Sequence, residues 1–510
     1  MENKKYDIAV IGAGLGGLVA SAILAKNGRK ILLVEQHSVA GGCATTFKRK
    51  GFSMEVGLHE IDGLYPKDNK VALFEKLDVF KNVEFLKSRE FYKVQNTDKT
   101  IDFTMGNGVE AVQTELCRRF PEDKKGIKKF FSTLLGIRRD LYIVTNNPKL
   151  KFLILAFSPF IIPHLIGNYN QTLGKFLDKY IKSENLKLIL AANTNYFHDN
   201  PYELSIIWFA SAQANYIIGG GHFVKGGSQN LSNYFAKIIK ENGGELVFNT
   251  AVTQIITDET AAKVVGIKAK NQKNEVSEFY ADKIIANCAI PVLYDLLPPI
   301  QSGILREKYK KFKPACSLLS VYIGFSKSLN EVGVNAYSTI ILSEKFKTLN
   351  DLAVNMNSDF ETVPIIFVDY GQIDDSMSPK GKSCGSICLT DYIENWENLT
   401  DEEYKSKKKN VAEILINRLN NEFNGIKDLI EGYEVGTPRT ICNYTGNPFG
   451  SAYGFAQIPG QMITQRPKHK TPIKNLYISS AYSIPGGGFS GTILGGAMCA
   501  SEIIKEYKKS

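Results

Sequence analysis

The sequence predicts an α/β protein, and three observations carry that expectation. Within the first 35 residues an apolar strand, a glycine turn, a helix and a second strand follow one another and end on an acid. Near the other end, over 475–505, a strand, a glycine loop and a helix start recur. Between them, two long stretches read first as helices and then as longer apolar strands. This is the pattern of a discontinuous Rossmann-like nucleotide-binding domain interrupted by a substrate-binding domain of mixed sheet and helices.

Asp7 to Ile11 reads as the first strand and Gly12-Ala13-Gly14-Leu15-Gly16-Gly17 as the turn. In such a turn Gly12 allows the tight bend, Gly14 lets backbone approach a pyrophosphate, and Gly17 lets helix pack close on strand. Leu18 to Asn27 reads as the helix, Gly28 stops it, and Ile31 to Val34 reads as the second strand. The helix start offers unpaired N–H groups and the positive end of its dipole to phosphate oxygens. Glu35 is placed to accept hydrogen bonds from ribose hydroxyls, and its charge repels a 2′-phosphate, so the site selects FAD or NAD over NADP. Lys4, Lys5 and the apolar run behind them superficially resemble a secretory leader, but Asp7 and the glycines interrupt its core.

At 510 residues, 44% hydrophobic and 22% charged, the chain has the size and composition of a globular protein of two or more domains. Its net charge of +10 suits an acidic partner such as an anionic membrane surface, or simply a solvated basic face. The lysines are spread out and no nucleic-acid motif appears, which excludes nucleic acid as a partner. The eight cysteines are scattered. Cys384 and Cys388, four apart on a predicted strand, read as core thiols, and no cluster has metal-ligand spacing. The expected location is cytoplasmic, with membrane association as an open alternative.

Behind the cradle come Ala40-Gly-Gly-Cys-Ala-Thr-Thr-Phe47 and Gly51-Phe-Ser-Met-Glu-Val-Gly57-Leu58-His59-Glu60. Taken alone, glycines flanking a short strand read either as backbone passing close to a flat ligand or as a plain hairpin. The pattern of Gly41, Gly42, Cys43 and Thr45, followed by Gly57, Leu58 and His59, resembles the phytoene desaturase, carotenoid isomerase and retinol saturase group of FAD-dependent oxidoreductases. It is most similar to the isomerase and saturase branch; desaturases more often carry arginine at the position of Cys43.

Asp68 to about Asn215 is mostly helical in pattern. Within it Phe152 to Ile166 is the most hydrophobic run of the chain, but Pro159 and Pro163 break it and it is too short to span a bilayer. With Lys149 and Lys151 before it and Lys175 and Lys179 after, it reads as a face dipping into a membrane, or as a buried helix pair lining a substrate cavity. A second glycine cluster, Gly219 to Gly227, precedes a helix through Leu231 and Ile239 and an apolar strand from Gly244 to Val252. The resemblance implies that Val252 meets adenine through its backbone and that Asn287, in Asn287-Cys-Ala-Ile-Pro291, lies near the pyrophosphate. Val264 to Lys268, Glu278 to Tyr280 and Ile284 to Cys288 alternate like strands of one small sheet.

Leu318 to Phe325, Val363 to Tyr370 and Cys384 to Tyr392 read as longer strands forming a cavity floor. Thr400-Asp-Glu-Glu403 is a capping box opening a scaffold helix that Gly425 ends. Gly436-Thr-Pro-Arg-Thr440, Tyr444 and the glycines as far as Gly454 resemble the family's Thr-Pro-x-Thr stretch. Asn475 to Gly491 resembles its C-terminal flavin motif, with Ala481, Gly487, Gly488 and Phe489 at the cofactor. Isomerases often have Asp where Ala481 stands.

The resemblance implies an FAD domain of residues 1–75, 216–300 and 436–510 and a substrate domain of 76–215 and 301–435. It also implies oxidoreductase chemistry on a long apolar polyene by isomerisation, saturation or desaturation, with His59, Glu60 and Tyr444 as the nearest catalytic candidates. Two rivals share the fold: an amine oxidase-like enzyme, and a non-enzymatic carrier of prenylated proteins. The sequence does not specify the electron donor or acceptor.

Overall fold

Strand Lys5–Ile11 pairs in parallel with Ile31–Val34 on one side and with Val276–Ala286 on the other, at the centre of a seven-stranded sheet. The computed structural model describes residues 5–57, 59–260, 262–354, 359–462 and 465–508. Glu245–Val247 extends this sheet in parallel beyond Ile31–Val34, Leu476–Ile478 pairs in parallel with Val276–Ala286, and Val264–Asn271 and Thr250–Thr257 continue it antiparallel. Both faces of the central strand are covered, which is why it reads as an unbroken apolar run. Ile8 and Val10 pack with helix Leu15–Lys26, while Ala9 and Ile11 pack on the opposite face with Ile284 and Leu293. Leu15–Lys26 lies in turn against the C-terminal helix Phe489–Tyr507 and against helix Ser228–Glu241.

A second seven-stranded sheet runs in the order Ile430–Gly436, Ser317–Phe325, Ser383–Asp391, Ile365–Asp369, Ser338–Leu342, Tyr92–Asn96, Asp102–Met105. Leu319, Val321, Ile323 and Phe325 face helix Asp401–Glu422, whose Thr400–Glu403 capping box is formed. The alternate residues Ser320 and Tyr322 turn the other way, as a period of two requires. A small third sheet joins Ile61–Asp62, Gly221–Val224 and Phe85–Lys87.

Three expectations are corrected. Glu278–Tyr280 and the residues from Ile284 are not separate strands of a small sheet but parts of one strand, Val276–Ala286, whose far half enters the main sheet. The apolar segment Gly244–Val252 is divided at Asn249, which takes a φ of 53°, into two strands, one pairing in parallel with Ile31–Val34 and the other antiparallel with Val264–Asn271. The stretch 68–215 also contributes two strands to the second sheet, because Tyr92–Asn96 finds its partner in Ser338–Leu342, far along the chain.

The run from Phe152 to Ile166 forms three short helices, Lys151–Ala156, Ser158–Ile161 and Pro163–Gly167, broken where the prolines stand. Phe152 is 83% exposed, Leu155 60% and Phe160 85%, so this is a surface and not a buried helix pair. The buried Asp140 holds it down: its Oδ2 accepts from the backbone N–H of His164 at 2.8 Å and of Leu165 at 3.1 Å. Among the described residues no helix is long and apolar enough to cross a membrane.

One cluster of charges is buried. Lys70 Nζ lies 2.8 Å from Asp68 and 3.4 Å from Asp62, and Asp62 also accepts from Asn215 and from the Ser490 hydroxyl of the C-terminal helix. Burial alone would raise the Asp62 carboxyl, but Lys70 and the two hydrogen bonds outweigh it and hold the group charged. Lys70→Met would leave two carboxylates in an apolar surround without their counter-ion, which costs about 3–5 kcal/mol. Urea unfolding should show a loss of that size; a loss under about 1 kcal/mol would mean that water reaches the cluster.

Candidate active site

The first strand ends in a turn with no room for side chains. A Cβ on Gly14 would stand 2.8 Å from Asn287 Nδ2, one on Gly16 2.4 Å from the Ser479 carbonyl oxygen, and one on Gly17 2.5 Å from that of Gly12. Asn287 comes from the end of strand Val276–Ala286 and donates to the Gly12 carbonyl at 3.2 Å; Ser479 follows Leu476–Ile478 and donates to that of Gly16 at 2.9 Å. Helix Leu15–Lys26 starts here with Gly14 as N-cap, no side-chain cap and no acid in its first turn. Its free N–H groups and dipole are thus left for an anionic ligand.

Glu35 is buried, and its carboxylate is already engaged. One oxygen accepts from Ala13 N–H at 2.6 Å and the other from His37 N–H at 2.9 Å. The residue expected to receive the ribose thus also braces the glycine turn, and each oxygen keeps a lone pair for a ribose hydroxyl. Val252 lies in strand Thr250–Thr257, whose first residue hydrogen-bonds to the Glu35 carbonyl.

Gly41 bridges to Gly14, and a Cβ on Gly42 would touch Gly14 Cα at 3.4 Å, so this loop passes directly over the turn. The Thr45 hydroxyl bonds to Gln229, which also donates to the Ala40 carbonyl at 2.8 Å. Glu55 is a residue that sequence reasoning missed. Wholly buried, it accepts from the Ser228 N–H and hydroxyl, both at 2.7 Å, and caps the helix that carries Gln229. An acid inside an apolar strand followed by a distant uncapped serine was the only available signal.

Gly57 packs over Cys43, its Cβ position 3.0 Å from the Cys43 carbonyl oxygen, and burial pushes the Cys43 thiol up. Leu58 lies outside the described residues. Around this segment three buried tyrosines donate to backbone carbonyls: Tyr322 to Val56 at 3.0 Å, Tyr337 to His59, and Tyr216 to Glu60 at 3.1 Å. Tyr196 meets the His59 ring edge-on at 5.6 Å and shares a hydrogen bond with Ser338. Burial lowers His59 to about 4, so its imidazole is neutral at ordinary pH. Both carboxyl oxygens of Glu60 are buried without a hydrogen-bond partner, against Gly221, where an added Cβ would lie 2.3 Å from the carboxyl carbon. Burial raises this carboxyl well above the usual range, with the Ser88 hydroxyl opposing and the Glu90 charge adding to it. Burial thus favours the protonated form of Glu60.

Strand Leu476–Ile478 leads through Ala481 and Gly487 to the C-terminal helix, whose N-cap is Gly488 and first residue Phe489; it too lacks a side-chain cap and a first-turn acid. A Cβ on Gly487 would lie 2.3 Å from the Tyr453 carbonyl oxygen, which ties this loop to the glycine-rich stretch before it. Tyr444 is elsewhere. It is 64% exposed, stacks on His37 at 5.5 Å, and its carbonyl accepts from Gln36, so it stands at the Glu35 end and not with His59 and Glu60.

Two uncapped helix starts, a turn closed to side chains at Gly14, Gly16 and Gly17 and a carboxylate at the second strand's end fit a dinucleotide lying extended from Glu35 towards residues 57–60 and 481–489. Such a fold and site define a dinucleotide-binding redox enzyme. The family model for flavin containing amine oxidoreductases matches residues 15–504, and the chain belongs to that family. It is similar to prolycopene isomerase 1, chloroplastic, of an Oncidium hybrid cultivar, with 26% identity over 98% of this chain and 84% of that one. It is also similar to all-trans-retinol 13,14-reductase of Danio rerio, with 26% identity over 98% and 86% of the two chains. Among solved structures, an oxidoreductase from Methanosarcina mazei shares the fold at a TM-score of 0.65 and 16% identity, over 98% of this chain and 100% of that one. The protein is an FAD-dependent oxidoreductase.

Glu35→Ala removes two buried hydrogen bonds to a charged acceptor, each worth about 1.5–3 kcal/mol, as well as the ribose contact. FAD affinity should fall at least tenfold and the apoprotein should also lose stability, because Ala13 loses its partner. Flavin retained after dilution, read by visible absorbance, and the thermal midpoint of the apoprotein check both halves. Wild-type retention would remove Glu35 from the site.

Proposed function

We propose that the substrate is a long apolar polyene of the carotenoid or retinoid class, bound beside residues 56–60 within the substrate segments 76–215 and 301–435. The single observation that carries this reading is the surround of Glu60: buried tyrosines whose hydroxyls are spent on backbone carbonyls, a neutral histidine, and a carboxyl whose protonated form burial favours. A wall of that kind offers apolar area and no charge. The names of the isomerase and reductase relatives support the same substrate class. An amine-oxidising reading needs a cavity lined with acids or an aromatic cage for a cation; burial disfavours the charged state of Glu60, and a polyene or lipid that co-purifies would argue against the cage.

When bound, the flavin supplies hydride or electron transfer. The protein holds and shields it. Gly14, Gly16 and Gly17 open their N–H groups to the pyrophosphate, Gly12, its own N–H bonded to the Val34 carbonyl, makes the bend, Glu35 takes the ribose and Val252 the adenine. Gly41, Gly42, Cys43 and Thr45, with Ala481, Gly487, Gly488 and Phe489, enclose the ring. Saturating a double bond takes a hydride and a proton, and the Glu60 carboxyl, whose protonated form burial favours, is the group beside His59 that can supply the proton. His59, neutral and edge-on to Tyr196, orders the wall beside it.

The pattern around Gly41–Phe47 favours an enzyme working from reduced flavin. Incubated anaerobically with an extended polyene, the protein should turn over only after reduction with dithionite. Product mass then separates isomerisation, which leaves it unchanged, from saturation, which adds two hydrogens per bond. Turnover from oxidised flavin with a quinone, giving a product two hydrogens lighter, would make it a desaturase.

Access for such a substrate fits the exposed face of Phe152, Leu155 and Phe160, which we read as a peripheral membrane contact. Replacing Leu155 and Phe160 with serine should release the protein from anionic liposomes. Unchanged co-sedimentation would assign that face another partner.

A further inference from the structure

Arg466 is buried to 1% exposure, and no carboxylate among the described residues pairs with it. Its guanidinium donates instead to neutral acceptors on two loops. Nη2 reaches the carbonyls of Ala481 at 2.9 Å, Phe455 at 3.1 Å and Tyr453 at 3.5 Å, and Nη1 reaches Gln457 Oε1 at 3.1 Å. Nε donates to the Ser483 carbonyl at 3.4 Å. The Cζ atom stands 3.0 Å from where a Cβ on Gly486 would be, and Gly486 takes a φ of +130°, so only glycine lets this loop lie so close over the cation. Trp208 packs against the same glycine. Burial draws the guanidinium down to about 9, which still leaves it charged at neutral pH.

A buried cation without a counter-ion is costly, and hydrogen bonds to neutral carbonyls satisfy its donors without cancelling its charge. A second source of positive potential lies on the same loop: the C-terminal helix begins at Gly488 with neither a side-chain cap nor an acid in its first turn. Both features converge on the segment from Ala481 to Phe489 that faces the flavin, and among the described residues the guanidinium has only the Trp208 ring, 5.8 Å away, and neutral acceptors against it, with no carboxylate. In a dry interior their field reaches well beyond contact distance.

We propose that Arg466 supplies the charge that balances reduced flavin, and so raises the potential at which this enzyme's flavin is reduced. The balance is simple: two electrons and one proton added to the neutral oxidised ring leave one negative charge, and Arg466 offers the opposite one. Arg466 does not touch the reacting atoms; it is a positioning residue that acts through the Ala481–Gly488 loop. The inference rests on FAD binding and is independent of which substrate is used.

The test is potentiometric titration of the flavin-loaded protein with dithionite against reference dyes, for wild type, Arg466→Lys and Arg466→Gln, with the flavin-to-protein ratio measured separately. The expected result is a lower midpoint for the flavin still bound to Arg466→Gln and a midpoint near wild type for Arg466→Lys. An unchanged midpoint in Arg466→Gln overturns the proposal, and so does an equal shift in both variants, which would mark a loop-geometry effect. If Arg466→Gln holds no flavin, the pH dependence of the wild-type midpoint decides. Uptake of one proton per two electrons across the neutral range supports the charge balance, and uptake of two overturns it.

Discussion

The architecture depends on one steric constraint: at the glycine turn, two segments remote in sequence, with the turn's own Gly12, occupy the space that side chains on Gly14, Gly16 and Gly17 would fill. Asn287 reaches in from the middle of the chain and Ser479 from near its end, each hydrogen-bonded to a carbonyl of the turn. Glu35 fastens the turn from below through Ala13. The glycines therefore serve two purposes: they open N–H groups to phosphate, and they let the discontinuous pieces of the FAD domain close on one another. A single added methyl group at Gly16 would push strand Leu476–Ile478, and with it the C-terminal loop, away from the cofactor.

At the other end of the site the governing fact is hydrogen-bond accounting. Val56, Gly57, His59 and Glu60 belong to no strand or helix that would satisfy their carbonyls, and buried carbonyls need donors. Tyr322, Tyr337 and Tyr216 provide them, one each. The arrangement fixes an irregular backbone, and burial raises the Glu60 carboxyl while lowering the His59 imidazole to about 4. Structure and proton inventory here have one cause, the burial of this segment.

What was legible in the sequence was local. The strand, turn, helix and strand of the cradle, the Thr400–Glu403 capping box and the proline breaks in the run from Phe152 follow from spacings of a few residues, and the structure has them. What was not legible depends on partners far away. Val276–Ala286 looks like fragments because its first half is polar and exposed, and only pairing with Lys5–Ile11 reveals one strand. Tyr92–Asn96 sits in a helical neighbourhood and becomes a strand through Ser338–Leu342. The tyrosines around residues 56–60, Glu55 beneath Ser228 and Arg466 beneath Gly486 carry no local signature, since each acquires its role by meeting a segment its spacing cannot name. Tyr444 shows the converse: a motif placed it near the flavin, and packing put it beside His37.

The strand order also sets a timetable for synthesis. Lys5–Ile11 emerges first from the ribosome, yet its neighbour Val276–Ala286 follows about 270 residues later. At roughly 5–20 residues per second that is a wait of about 15–50 seconds. The apolar strand must be shielded meanwhile, by transient pairing with Ile31–Val34 or by a chaperone. Leu476–Ile478 and the helix behind it arrive last, and Ser479 cannot reach Gly16 before then. Until Leu476–Ile478 and Phe489–Tyr507 have been made, the nascent chain lacks the Ser479 contact to Gly16 and the second uncapped helix start of the nucleotide site.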